Sequence, residues 1–264
     1  ESSAISGQKP FQQLKRFRFP SLDEFVFELP KDPSKQCHRS APLVDSLRIG
    51  QVLRLHPVPF LSARSVERNQ ALINDPGIGD KGFTPQVFEH EAANEFIRQT
   101  HIDLNNLPTH FPSLGKELLP LLLESSKQVV VDAQLVINQR GIGYKNFIPA
   151  TFGSQAARKF SNRSHVQIKQ TTLNPRNLKN TPDAYEERML KRLAAQPASD
   201  SFITEWIDND TILRALTPIY YSKDCLVCHG NPKGILDISG YPREGAQEGD
   251  LAGAISIQIP LKSR

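Results

Sequence analysis

Residues 134–165 read QLVINQRGIGYKNFIPATFGSQAARKFSNRSH, and residues 70–101 read QALINDPGIGDKGFTPQVFEHEAANEFIRQTH. The two stretches align without a gap at an offset of 64, and 14 of their 32 positions are identical. In each copy a Gly-Ile-Gly turn leads past a proline into a segment whose Phe, Ala and Phe recur every four residues, the spacing of one buried helix face. Because two copies are too few for a solenoid, we predict a pseudo-symmetric pair of half-domains with these aromatics in the core.

The segments around and after the second copy predict an α+β fold. The largely apolar run from Leu118 to Ile137 predicts a long buried helix with Pro120 in its first turn, followed by a helix near residues 151–160. Thr181-Pro182 predicts the start of a further helix. Alternation of apolar and polar residues predicts strands at residues 166–173, 213–221 and 254–259.

Length and composition limit the class of protein. The chain has 264 residues, of which 38% are hydrophobic and 23% charged, as in a globular protein with one large or two small domains. No run of 18 apolar residues is present, so we expect no transmembrane segment. The chain begins at Glu1 without a leader, which favours an exported, processed protein in the periplasm or another extracytoplasmic compartment. Its basic stretch lacks interleaved aromatics and known motifs, so nucleic acid is not an expected partner.

Residues 225–229, Cys-Leu-Val-Cys-His, form the pattern by which haem is attached covalently in c-type cytochromes. Thiols three positions apart can each form a thioether with a vinyl group of haem. The imidazole of the following residue can then bind the iron from below. Cys225 and Cys228 are therefore the predicted attachment residues and His229 the predicted proximal ligand of one haem c.

Three other interpretations of these residues stay open. A structural zinc site would need a second ligand pair, and the only other cysteine is the distant Cys37. A redox-active dithiol would favour a helix start after a strand, whereas Gly230, Asn231 and Pro232 indicate a loop. A disulfide between Cys225 and Cys228 would close a strained small ring.

An ordered series of segments resembles a known family: residues 142–150, 172–177, 182–186 and 220–221, ahead of the pentapeptide. The series is similar to the PAS-like c-type haem domain of small exported cyanobacterial cytochromes and of sensor modules in bacterial signalling proteins, over about residues 118–261. The resemblance implies a five-stranded antiparallel sheet flanked by helices, with haem held against it. We accordingly divide the chain into an N-terminal extension (1–60), a haem-free first repeat (61–115) and the haem domain (116–264).

Further haem contacts and the sixth iron ligand are less constrained. Arg176, in Asn-Pro-Arg-Asn, is either a turn residue or a partner of a haem propionate, and Tyr221 lies just before the pentapeptide. Cys37 is separated by three residues from the pair Ala41-Pro42, and this local pattern resembles the distal ligand of some family members but lies elsewhere in the chain. The alternatives are His165 or His101, or an open site.

Two functions follow from one haem on such a scaffold. The chain would be a monohaem electron carrier with a redox partner protein, alone or as a subunit of a larger assembly. Alternatively it would be a haem-based redox or small-ligand sensor. We expect no enzymatic role beyond adventitious peroxidase activity, because no paired carboxylates or nucleophile–base set accompany the pentapeptide.

Overall fold

A computed structural model describes residues 58–109, 111–196, 203–207 and 211–260. Cys37 and residues 1–57 of the predicted extension lie outside the described residues. The described helices are α1 (Val58–Arg68), α2 (Gln70–Ile73), α3 (Pro85–Thr100), α4 (Ser113–Ile137), α5 (Pro149–Arg163), α6 (Ala184–Ala194) and α7 (Leu226–His229). The strands are β1 (Gln167–Thr171), β2 (Ile203–Ile207), β3 (Ile212–Tyr220) and β4 (Leu251–Pro260).

The four strands form one antiparallel sheet in the order β1-β4-β3-β2. The predicted strands at 166–173, 213–221 and 254–259 are confirmed as β1, β3 and β4, while β2 was not predicted. The resemblance implied five strands, and in the described part of the chain this is wrong. The connection between β3 and β4 adds only an isolated bridge between Leu236 and Pro242.

The side-chain alternation of the strands divides the core between the two faces of the sheet. One face packs against α1 and α3–α5 and carries Leu213, Ala215, Ile255, Ile257 and Ile259. The other face carries Leu216 and Ala254 against α6. The repeated phenylalanines are buried as predicted: Phe83, Phe88, Phe96, Phe147, Phe152 and Phe160.

The two repeats contact each other through equivalent residues. Gln70 Nε2 donates to the carbonyl oxygen of Phe147 at 3.1 Å, and its counterpart Gln134 donates to the carbonyl of Phe83 at 3.0 Å. The first residue of α2 thus donates to the loop that follows α4, and the last turn of α4 donates to the loop that follows α2. Such reciprocal pairing is the pattern of a two-fold interface.

Backbone amides of the two loops repeat this exchange. The amide of Lys81 donates to Asn138 Oδ1 at 3.1 Å, and the amide of Lys145 donates to Asn74 Oδ1 at 3.4 Å. The side chain of Lys145 also donates to a carbonyl of the other repeat, that of Ile73, at 2.7 Å. Each Gly-Ile-Gly loop therefore takes part of its hydrogen bonding from the opposite copy.

Helix α6 is fixed to the sheet by a charged network around the buried side chains of Arg214 and Glu186. Arg214 on β3 donates to Asp183 at 2.9 Å and to Glu186 at 3.1 Å, and its guanidinium lies 4.6 Å from the centroid of the Tyr185 ring. Glu186 also pairs with Lys169 on β1 at 2.8 Å. Burial raises the pKa of Asp183, but the Glu186 amide and Arg214 lower it below its ordinary value overall.

Two predicted helix starts were wrong. Helix α4 begins at Ser113, so Pro120 lies inside it and not in its first turn. Gly115 weakens the helical pattern there, yet a Cβ at this residue would come within 2.5 Å of the Phe111 ring. Helix α6 begins after Pro182, because Asp183 and Glu186 form a capping box at Ala184.

Candidate cofactor-attachment site

The pentapeptide lies in the connection between β3 and β4, residues 221–250. The base of this connection is closed by two backbone hydrogen bonds, from Tyr221 N to Asp250 O at 2.9 Å and from Gly249 N to Tyr221 O at 2.8 Å. A short 3₁₀ turn, Lys223–Cys225, leads directly into α7. The sheet thus holds both ends of the segment that carries the cysteines.

Cys225, Cys228 and His229 lie along one helical turn. Cys225 already has helical dihedral angles, φ −66° and ψ −30°. Residues three and four positions apart in a helix face the same side, so the two thiols and the imidazole share that side. Both cysteines are free thiols of intermediate exposure. Gly230 ends the turn where a Cβ would meet Leu226 O at 2.6 Å, so only glycine fits without a shift.

His229 is held by one of its two ring nitrogens. Its Nδ1 lies 2.8 Å from Glu244 Oε2 and 3.4 Å from the hydroxyl of Tyr221. The Tyr221 and His229 rings lie 4.9 Å apart with an interplanar angle of 36°. The carbonyl of His229 accepts hydrogen bonds from Gly245 N at 3.0 Å and Ala246 N at 2.9 Å. Because Nδ1 has a carboxylate partner, Nε2 is the nitrogen left to bind a metal.

Arg176 connects the segment after β1 to the cofactor loop. Its Nε and Nη2 donate to the two oxygens of Glu244 at 2.5 and 2.9 Å, and its Nη1 donates to Asp237 at 2.6 Å. Nη2 also donates to the carbonyl of Cys228 at 2.9 Å. The structure thus places Arg176 beside the pentapeptide, with its guanidinium bound to protein groups. The role of Arg176 at a haem propionate stays a prediction.

The charged groups around Arg176 shift one another's pKa values. Burial raises the pKa of Glu244 and of Asp237, but the hydrogen bonds from Arg176 and from neighbouring groups together outweigh it and hold both carboxyl groups below their ordinary values. Burial lowers the pKa of Arg176, and the same two partners raise it overall. Burial and then the charge of Asp237 raise the pKa of the Cys228 thiol. Burial and the charge of Glu244 raise the pKa of Tyr221 to about 12.

Large apolar side chains of this loop are exposed. Val227 is 65% exposed, and after the pentapeptide Ile235, Leu236 and Ile238 are 54%, 63% and 64% exposed. Exposed apolar side chains this close in sequence are typical of surfaces that bind another molecule. Next to Ile238, the hydroxyl of Ser239 lies 2.7 Å from that of Tyr144, which joins the loop to the second repeat.

The structure therefore brings together five predicted site residues: Cys225, Cys228, His229, Tyr221 and Arg176. His101 is the left-handed C-cap of α3, and His165 lies just before β1. Among the described residues, no group of three or more His, Cys, Asp and Glu is arranged to hold a metal ion by itself. Within the same residues, none of the helices combines the length and apolar character needed to cross a bilayer.

Two residues of the site were not predicted, Glu244 and Asp237. A carboxylate next to a ligating histidine is a common second partner of the imidazole, so the sequence did carry a signal. The loop contains five acidic residues, however, and nothing in their order distinguishes them: Asp224, Asp237, Glu244, Glu248 and Asp250.

Comparison with known proteins gives a family. The model of the Tll0287-like family matches residues 86–260, well over half of the chain. The chain belongs to this family. Among solved structures, this Tll0287-like chain matches one described as "Crystal structure of the cyanobacterial heme-protein Tll0287", with 16% sequence identity and a TM-score of 0.41. That match covers 58% of this chain and 98% of the other. None of the curated proteins matches.

Proposed function

We propose that this Tll0287-like chain is an exported monohaem c-type cytochrome that transfers single electrons to or from a partner protein, alone or within a larger assembly. Cys225 and Cys228 would hold the haem through thioethers, and His229 Nε2 would bind its iron. The haem would supply a one-electron couple. The proposal gives the chain no catalytic role.

One arrangement carries the proposal: a helical turn holds two free thiols and an imidazole at spacings that place them on one side, and Glu244 lies 2.8 Å from Nδ1 of that imidazole. The same loop exposes Val227, Ile235, Leu236 and Ile238, which suits contact with an apolar macrocycle. Haem binding by the matched cyanobacterial structure agrees with this assignment but does not carry it.

The hydrogen bonds of the loop favour electron transfer over sensing. Besides the bonds at its base, Gly234 N donates to Arg243 O at 2.9 Å and Asp237 N donates to Tyr241 O at 2.8 Å. These bonds hold the loop in a single arrangement in the structure. A sensor needs an element with two accessible arrangements, whereas an electron carrier works with one.

Covalent attachment is tested by making the chain in a host that exports it and has the machinery for haem attachment. Intact mass and a pyridine haemochrome titration should both give one haem per chain, and the variant with Cys225→Ser and Cys228→Ser should have none. Cys37→Ser serves as the matched control and should keep the covalent haem. A wild-type chain with the mass of the bare polypeptide would refute the proposal.

The sixth ligand and the choice of function are tested on the haem-loaded chain. Refusal of carbon monoxide by the reduced protein supports electron transfer, while rapid binding would favour the sensor. For the distal ligand, an unchanged low-spin optical and EPR spectrum of Cys37→Ser would exclude the thiolate. An unchanged low-spin spectrum of His165→Ala or His101→Ala would likewise exclude that imidazole as the distal ligand.

A further inference from the structure

Glu244 is held more firmly than a surface carboxylate normally is. Arg176 binds both of its oxygens, the planar arrangement that fixes a carboxylate in orientation as well as position. The two residues that follow Glu244 donate their amides to the carbonyl of His229. The carboxylate and the imidazole are therefore tied to each other through both side chain and backbone.

This geometry determines where the imidazole carries its proton. An ionised carboxylate can only accept a hydrogen bond, so at 2.8 Å from Glu244 Oε2 the Nδ1 atom must be the donor. A neutral imidazole with its proton on Nδ1 has its lone pair on Nε2. The ring would thus be prepared for the metal before any cofactor arrives.

The net charge of Arg176, Asp237 and Glu244 would also act on a metal bound at Nε2. One guanidinium, that of Arg176, faces the two carboxylates of Asp237 and Glu244, which leaves one negative charge uncompensated within the cluster. A carboxylate partner makes an imidazole a more basic ligand, and a negative charge near iron favours the more positive oxidation state.

On the basis of the proposed haem binding, we propose that Glu244 is a positioning residue, which holds His229 with its proton on Nδ1 and lowers the reduction potential of the iron bound at Nε2. A merely structural role would fix the loop and leave the potential unchanged. The two roles can therefore be separated by electrochemistry.

The test compares Glu244→Gln with Glu248→Gln in the haem-loaded full chain. Both variants remove one carboxylate from the same loop, but Glu248 is exposed. Glu244→Gln should shift the equilibrium toward the reduced form by about tenfold, which is about 59 mV in midpoint potential, and Glu248→Gln by much less. An unchanged potential in Glu244→Gln, or equal shifts in the two variants, would overturn the inference.

A second measurement keeps the test decisive if Glu244→Gln fails to fold. Nitrogen-15 NMR of the wild-type chain, made without haem-attachment machinery and recorded at about pH 9, where imidazole is neutral, reports which nitrogen of His229 is protonated. A proton on Nδ1 supports the inference, and a proton on Nε2 refutes it. Failure of the wild type to acquire haem would refute the proposed function, whereas a haem-loaded chain with an unshifted potential would refute only the role of Glu244.

Discussion

Replacing Arg214 by Met should weaken the contact between α6 and the sheet and so lower the free energy of unfolding. The Arg214 and Glu186 side chains are 6% and 2% exposed, so the substitution removes one of the two cationic partners of a buried carboxylate. Breaking a buried pair in this way costs about 3–5 kcal/mol. Lys169 stays within 2.8 Å of Glu186, so we expect a value near the lower end, about 3 kcal/mol.

Urea unfolding of the full chain, followed by circular dichroism, measures this loss. With a denaturant slope of about 3 kcal/mol per molar, the midpoint should fall by about 1 M. Lys191→Met is the matched control on the same helix, because Lys191 and Glu187 form an exposed pair four residues apart. It should cost only about 0.3–0.5 kcal/mol. If Arg214→Met costs less than about 1 kcal/mol, the network does not fix α6 in the way its burial implies.

Three further predictions follow from the helical repeats and the cofactor loop. Burial raises the pKa of Glu95, but hydrogen bonds from neighbouring polar side chains and nearby arginine charges outweigh it, so the pKa is lowered in the folded chain. The ionised form of Glu95 therefore stabilises the fold at pH values above the ordinary glutamate pKa. Glu95→Gln should reduce the free energy of unfolding at neutral pH. The difference from the wild type should shrink as the pH falls through the range in which glutamate is protonated. A difference that stays constant in urea titrations down to about pH 3 would contradict this. Gly230→Ala should destabilise the loop by about 1–3 kcal/mol and reduce covalent haem loading, measured by the ratio of Soret absorbance to protein. Gly143→Ala, whose Cβ would have ordinary contacts, should be tolerated, and equal loading in the two variants would count against the steric argument. Gln70→Ala and Gln134→Ala should each cost about 1–3 kcal/mol and by similar amounts, since each leaves one equivalent carbonyl without its donor; widely different thermal unfolding losses would refute the equivalence.

Periodicity alone predicted much of this fold. The four-residue spacing of Phe88, Ala92 and Phe96 placed them on the buried face of α3, because a helix repeats every 3.6 residues. Alternation of apolar and polar residues located β1, β3 and β4, because successive side chains of a strand lie on opposite faces of the sheet. Strand β2 lies at the sheet edge and pairs with β3, and its sequence, ITEWI, does not alternate apolar and polar residues, so periodicity did not identify it.

The sequence predicted only some of the site residues, and the reason that it missed the others is physical. Cys225, Cys228 and His229 act through adjacent positions on one turn, so their spacing is itself the signal. Glu244 acts on His229 from fifteen residues away, and Arg176 reaches Glu244 from a different segment. Only the path of the chain brings them together, and no local pattern records that path.

The exchange of hydrogen bonds between the repeats has a consequence for how this molecule was assembled. In a separated copy, the glutamine amide and the asparagine oxygen would lack their partners, and the glycine loop would lose the hydrogen bonds that the other copy provides. Two identical single-copy polypeptides could supply each other's missing groups about a rotation axis, as homodimers do. The reciprocal bonds between the repeats therefore have the form of a homodimer interface, and we expect that cutting the chain between the copies yields fragments that reassociate.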